Sequence, residues 1–295
     1  MILDRFIAGL SAAPLIVLTP SVLVTQLSER WKKLCAGLAF AGNGMLIVFI
    51  SLTLPFFLGF DIQISWFYEA AVVAFCCLLV WPLTSRASPE PLARSDVSQH
   101  LNGRQRKVLL GLTLAYGLGA IAVQPPTLFL TDYLHRDLGI PVSQASQIFS
   151  ILGLGTAIGA GCSGLIAGLV GSRFTLLLVY VSGVISMLLV LLSTKIWLLV
   201  VAAGLAGFFL MGLVAITSQR TMEAVGHVQH PRTWGNLTFA FALGLSLGSN
   251  GMSALLQSGQ TYLGLFKIAF WTLCVGLFLT ASLSCRALPS DQRSS

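Results

Sequence analysis

Charged residues interrupt this chain at intervals that match the thickness of a lipid bilayer. Uncharged, mostly apolar runs occupy residues 6–28, 34–60, 108–131, 138–172, 174–194, 196–219, 233–266 and 268–285. A further run, 70–85, extends N-terminally through "ISWFYE", where Trp66, Tyr68 and Glu69 suit an interface. A helix needs about 20 apolar residues to cross the hydrocarbon. None of the runs alternates as a barrel strand does, so the pattern predicts an all-α integral membrane protein with about nine transmembrane helices. The first run is too long for the apolar region of a signal peptide. Asp4 and Arg5 cancel in front of it, so it also lacks a positive start.

One long polar break, "TSRASPEPLARSDVSQHLNGRQRK" at 84–107, divides the pattern. Its Pro, Ser and Arg content reads as a flexible linker. The expected organisation is a three-helix part over 1–85, a linker over 86–107, a six-helix bundle over 108–285 and a tail over 286–295. With nine spans, thirteen Lys and Arg fall on one side of the membrane. The other side keeps only four: Arg5, Arg136, Lys195 and Lys267. Positive charge stays inside, so the C-terminus is expected in the cytoplasm and the N-terminus outside, in the inner (plasma) membrane.

Composition agrees and narrows the chemistry. Hydrophobic residues make up 56% and charged residues 9%, against about 25% charged in soluble domains. The net charge of +7 lies in short loops between spans, which reads as topology and not as a nucleic-acid surface. The six cysteines lie in or beside apolar segments without metal-ligand spacing. No nucleophile–base constellation or zinc-protease motif appears, so neither enzyme chemistry nor a cofactor is expected. "GLGTAIGAGCSG" (153–164) lacks the Lys of a phosphate loop and suits close helix packing instead. "HVQH", with His227 and His230, reads as a solvated cytoplasmic loop without further metal ligands.

Polar residues inside the spans are the candidates for a solute pathway. Arg5 has two readings, a cavity-facing cation or a cation snorkelling to the outer interface. Glu69 is either its ion-pair partner or an interfacial carboxylate beside Trp66 and Tyr68. In "QPPT", Pro125 and Pro126 remove amide donors and free carbonyls. Gln124 and Thr127 then line a polar path, or the kink simply packs. Asn43, Ser246 and Asn250 serve as interhelical glue or as cavity lining. No acidic residue sits clearly mid-membrane.

Three stretches carry a likeness to a known family. "RFIAGLSAA" (5–13) resembles the fourth-helix motif of the major facilitator superfamily. "LAYGLGAIAVQPPTLFL" (114–130) is similar to the seventh helix of its YbfB-like bacterial branch, with Tyr116, Gly117, Pro125 and Thr127 matching. "GLIAGLVGSRFTLL" (164–177) resembles a worn copy of the Gly-rich cytoplasmic loop between helices eight and nine. Gly168 stands where that loop motif carries Asp, and "GLAFAGNGM" (37–45) lacks the Gly-Pro pair of the superfamily's antiporters.

The resemblance implies helices 4–12 of the major facilitator fold, with the first three lacking. It further implies alternating-access transport of a small solute, an Arg5 role coupled to proton movement, and a cytoplasmic gating loop at Gly164, Gly171 and Arg173. The rival expectation is a truncated, non-transporting membrane remnant or scaffold. Reporter fusions at Ser290 and within 84–107 test the topology directly. Both should report cytoplasm, and a periplasmic signal at either point overturns the charge-based orientation.

Overall fold

The computed structural model describes residues 29–58, 62–84 and 102–284, so the expected first span and Arg5 lie outside the described residues. Every regular element among the described residues is helical. Helix α1 covers Glu29–Leu58 and α2 covers Ile62–Thr84. Helix α3 starts at Gly103 and runs to Asp137. Four helices of membrane-crossing length and apolarity follow it: α4, Val142–Val170; α5, Ser172–Leu192; α6, Ile196–Gly226; and α7, Val228–Gln257. Helix α8 covers Tyr262–Ser284. With α3 and α8 the long apolar helices number six among the described residues, and the apolar parts of α1 and α2 are shorter.

The helix ends depart from the uncharged runs for identifiable reasons. Helix α3 outlasts its apolar stretch at both ends and carries Asp132, His135, Arg136 and Asp137 in its last turns. Pro125 and Pro126 cannot donate to the ladder, and the helix widens there into a π-type turn, Pro125–Phe129, with a second at Tyr133–Asp137. The run 233–266 contains a turn at 258–261, where Gly259 takes φ +95°, so two helices share one charge-free stretch. The loop expected around "HVQH" is absent. A single non-helical residue, Gly226 (φ +76°, ψ 171°), separates α6 from α7, and His230 lies inside the helical run.

Helices α3 to α8 share one hydrophobic core. Tyr116 and Leu130 of α3, Leu152 of α4, Val179 and Tyr180 of α5, Leu213 of α6, Trp234 of α7 and Phe266 of α8 are all buried in it. Small residues set the distances. On α4, Gly155 and Gly159 meet the α6 backbone at Gly204 and Phe208. From the other side, Gly207 of α6 meets Leu152 and Thr156. Offset by two residues, Gly153 and Ala157 of α4 meet Gly44 and Val48 of α1. Residues two apart point to nearly opposite sides of a helix. Helix α4 therefore lies between α1 and α6 with a small-residue stripe against each.

Helix α2 rests on α1 through Tyr68, whose hydroxyl donates to Thr53 Oγ1 and whose ring stacks on Phe57 at 4.1 Å. Most other α2 side chains, Phe67, Leu78 and Trp81 among them, are exposed.

The close crossing of α4 and α6 makes a sharp prediction. A methyl at Gly207 would fall on the Leu152 carbonyl, whereas one at Gly161 meets open space. Gly207→Ala should destabilise by about 1–3 kcal/mol through overpacking. Gly161→Ala should be neutral or stabilise by up to about 1 kcal/mol through helix propensity. Thermal unfolding of the purified protein in detergent reads both.

Candidate functional site

The C-terminal half of α3 shows how a proline pair is accommodated. Gln124, Pro125 and Pro126 are buried, and Thr127 is half-buried. The Thr127 amide bonds the Val123 carbonyl at 3.3 Å. Its hydroxyl donates to the same oxygen at 2.8 Å and to the Gln124 carbonyl at 3.2 Å. The hydroxyl thus satisfies backbone oxygens in the distorted turn. The Gln124 amide reaches back to the Ala120 carbonyl at 3.5 Å, and its stem packs on Gly248 of α7. At the C-terminal end of α3, Asp132 and Arg136 approach to 3.7 Å but are 49% and 68% exposed, a pairing worth little. His135 Nδ1 lies 2.9 Å from the Ile140 carbonyl and ties down the turn into α4.

Helix α7 has two unlike faces. Gly244 and Gly248 pack on α3 at Gly117 and Ile121. Ser246 and Asn250, two residues offset, are exposed, and the Asn250 amide donates to the Ser246 carbonyl at 2.8 Å. The polar pair therefore stands apart from Gln124 and Thr127. Asn43 is exposed beside Gly44, the residue that meets α4, and Glu69 is half-buried on α2.

The helix ends around Gly171 carry dense polar chemistry. Helix α4 stops where Gly171 adopts φ +86°, a region that disfavours any side chain, and α5 begins at once with Ser172. The Ser172 hydroxyl donates to Glu223 Oε2 near the end of α6. Arg220 Nη1 reaches the same oxygen at 3.0 Å and Ser172 Oγ at 3.3 Å, and Gln219 donates to Glu223 Oε1 at 3.3 Å. The Arg220 side chain is 6% exposed and that of Glu223 32%, so the cation is held inside while the carboxylate keeps contact with water. The Gln105 side chain joins the same end: its Nε2 donates to the Ala224 carbonyl at 2.9 Å, and its Oε1 accepts from the Asn102 amide at 3.0 Å.

Of the expected gating residues, Gly171 makes the turn and Arg173 follows, half-buried. Gly164 lies within α4, exposed and with open space beside it. Sequence reasoning singled out none of Ser172, Arg220 and Glu223. The signal available was an Arg-x-x-Glu pair closing an apolar helix, Arg220 with Glu223.

His230 corrects the reading of "HVQH" as solvated. It is buried, with Nε2 3.2 Å from the Ser218 carbonyl and 3.3 Å from Ser218 Oγ, and its ring is parallel to Trp234 at 6.2 Å. Among the described residues no cluster of three His, Cys, Asp or Glu could hold a metal ion. A family profile described as an uncharacterised MFS-type transporter YbfB matches residues 1–283. No curated protein matches the chain.

The Ser172–Glu223 link is testable by coupling. Glu223→Gln removes the charge from its hydrogen bonds and should destabilise by about 1.5–3 kcal/mol. Combined with Ser172→Ala, the loss should fall short of the sum by about 0.5–3 kcal/mol, because one change weakens and the other removes the same bond. Additive losses in a double-mutant cycle would show that the two residues act independently.

Proposed function

Because the chain belongs to the YbfB-type family of major facilitator transporters, multi-pass membrane proteins that carry small solutes, we propose that it moves one by alternating access. In this reading nine helices cross the inner membrane, with the N-terminus periplasmic and the C-terminus cytoplasmic. Residues 108–285 form one rocking bundle and 1–85 contribute to the other. Thr127, Asn43, Ser246 and Asn250 line the pathway, with Gln124 and Pro125 behind Thr127. Arg5 and Glu69 supply the charges available for proton coupling. Gly164, Gly171 and Arg173 belong to the cytoplasmic gate, closed by Ser172, Arg220 and Glu223.

One observation carries the pathway. Ser246 and Asn250 are exposed on a helix of membrane-crossing length, on the face turned away from its glycine contacts with α3. An amide side chain is poorly accommodated against lipid tails and finds protein or water instead. Their face is therefore read as the wall of the route.

Accessibility tests this. In a background without the six native cysteines, Ser246→Cys, Asn250→Cys and Thr127→Cys should react with a small membrane-impermeant thiol reagent. Phe278→Cys, at a position 73% exposed on apolar α8, should not. Equal labelling at all four positions, or none at the first three, would remove the pathway assignment.

A further inference from the structure

Most threonines in the described helices return their hydroxyl to a carbonyl one turn back. Thr113 bonds Leu109, Thr156 bonds Leu152, Thr221 bonds Thr217 and Thr272 bonds Ile268. Thr217 and Thr238 differ. Their Oγ1 atoms and the indole Nε1 of Trp234 are buried and have no hydrogen-bond partner among the described residues. Thr217 and Trp234 are wholly enclosed, at 0% exposure.

The register brings these three groups within about one helical turn of one another. Trp234 and Thr238 are one turn apart on the same side of α7. Thr217 is one turn below Leu213 on α6, and Leu213 packs against Gly119 of α3. Helices α3 and α6 are antiparallel, held at one end by the Gln105–Ala224 bond. Thr217 therefore falls between the levels of Leu112 and Ala115. Helix α7 runs parallel to α3 with Gly117 beside the Ala240 carbonyl, which puts Thr238 at the same level. The Tyr116 ring completes the group, 5.7 Å from Trp234. The Ala115 carbonyl accepts from Tyr180 Oη of α5.

We propose that a single buried water binds beside Tyr116 between α3, α6 and α7. Its oxygen accepts from Trp234 Nε1 and its two protons go to Thr217 Oγ1 and Thr238 Oγ1. That stoichiometry matches a donor-only indole and two hydroxyls, and about three bonds is usual for an enclosed water. Trp234 and Thr217 are wholly enclosed, whereas Ser246 and Asn250 are exposed, so the site is distinct from the proposed pathway. It makes the contact of the α6–α7 hairpin with α3 a wet one, in which bonds to water can re-form when the helices shift.

Indole N–H resonances of the full chain, labelled with [15N]tryptophan in nanodiscs, read the site. The chain has six tryptophans, and Trp234→Phe identifies the relevant signal by its loss. That signal should show a cross-peak to water and slow exchange into D2O. Thr217→Val and Thr238→Val, which keep shape and remove one hydroxyl each, should move it upfield and lower the unfolding midpoint. Absence of the water cross-peak in the unmodified chain overturns the proposal, whether or not the variants fold. Valine variants as stable as the parent or more so also overturn it, because they would show the hydroxyls to be dry and unpaired.

Discussion

The close approach of α4 to its two neighbours is the constraint on which the other contacts depend. In lipid, apolar side chains gain nothing by leaving a surrounding of hydrocarbon, so helices associate through dispersion and hydrogen bonds at short range. Short range needs small residues. Helix α4 offers Gly153 and Ala157 to α1, and Gly155 and Gly159 to α6. With α6 drawn in, Phe209 reaches Gly183 on α5 and Leu213 reaches Gly119 on α3. Tyr180 then fits against Gly276 of α8 and donates to the Ala115 carbonyl of α3. Each of these large-into-small contacts presupposes the α4–α6 distance. A wider crossing would leave several aromatic side chains without their notches.

Hydrogen bonds are distributed by what water can reach. Within the spans, hydroxyls mostly return to their own helix, as Thr113, Thr156 and Thr272 do. At the helix ends around Gly171 they cross between helices, and there a charged pair is tolerated because Glu223 remains partly wet. A fully buried pair would lose more in desolvation than it gains. The Ser172–Glu223–Arg220 group ties the α4–α5 turn to the end of α6, and Gln105 adds the start of α3. The bundle is consequently fastened at this rim by polar bonds and through its depth by packing.

What the sequence made legible follows from the same division. The long apolar helices and the packing role of the Gly153–Gly164 stretch could be read directly, because lipid imposes composition and close approach imposes glycine. Helix ends could not. An uncharged run measures depth in lipid, whereas α3 continues into charged turns and the 233–266 run hides a turn at Gly259. Pairings between distant segments were equally hidden. Ser172 and Glu223 are 51 residues apart, and nothing in their local sequence indicates that Gly171 aims one at the other. His230 was misread because polar neighbours suggested a loop, although a single glycine suffices to turn the chain. Its burial depends on Ser218 and Trp234, which periodicity on one helix does not reveal.

The two stripes on α4 are not equivalent, and the difference bears on movement. The α6 stripe sits in a bundle cross-linked by the network around Glu223 and by tyrosine and serine bonds such as Ser186 to Ala202. The α1 stripe is crossed by no hydrogen bond among the described residues; Gly44, Gly153 and Ala157 meet there through backbone contact alone. Sliding or pivoting at such a crossing breaks no directional bond and exposes little polar backbone. Relative motion at the α4–α6 crossing would have to break the bonds around Glu223 as well. If the chain rocks as alternating access requires, α4 should therefore move with α6 and against α1. The surface to yield would then be the glycine-lined one, crossed by no hydrogen bond among the described residues, and the polar rim would hold the other side of α4 to α6.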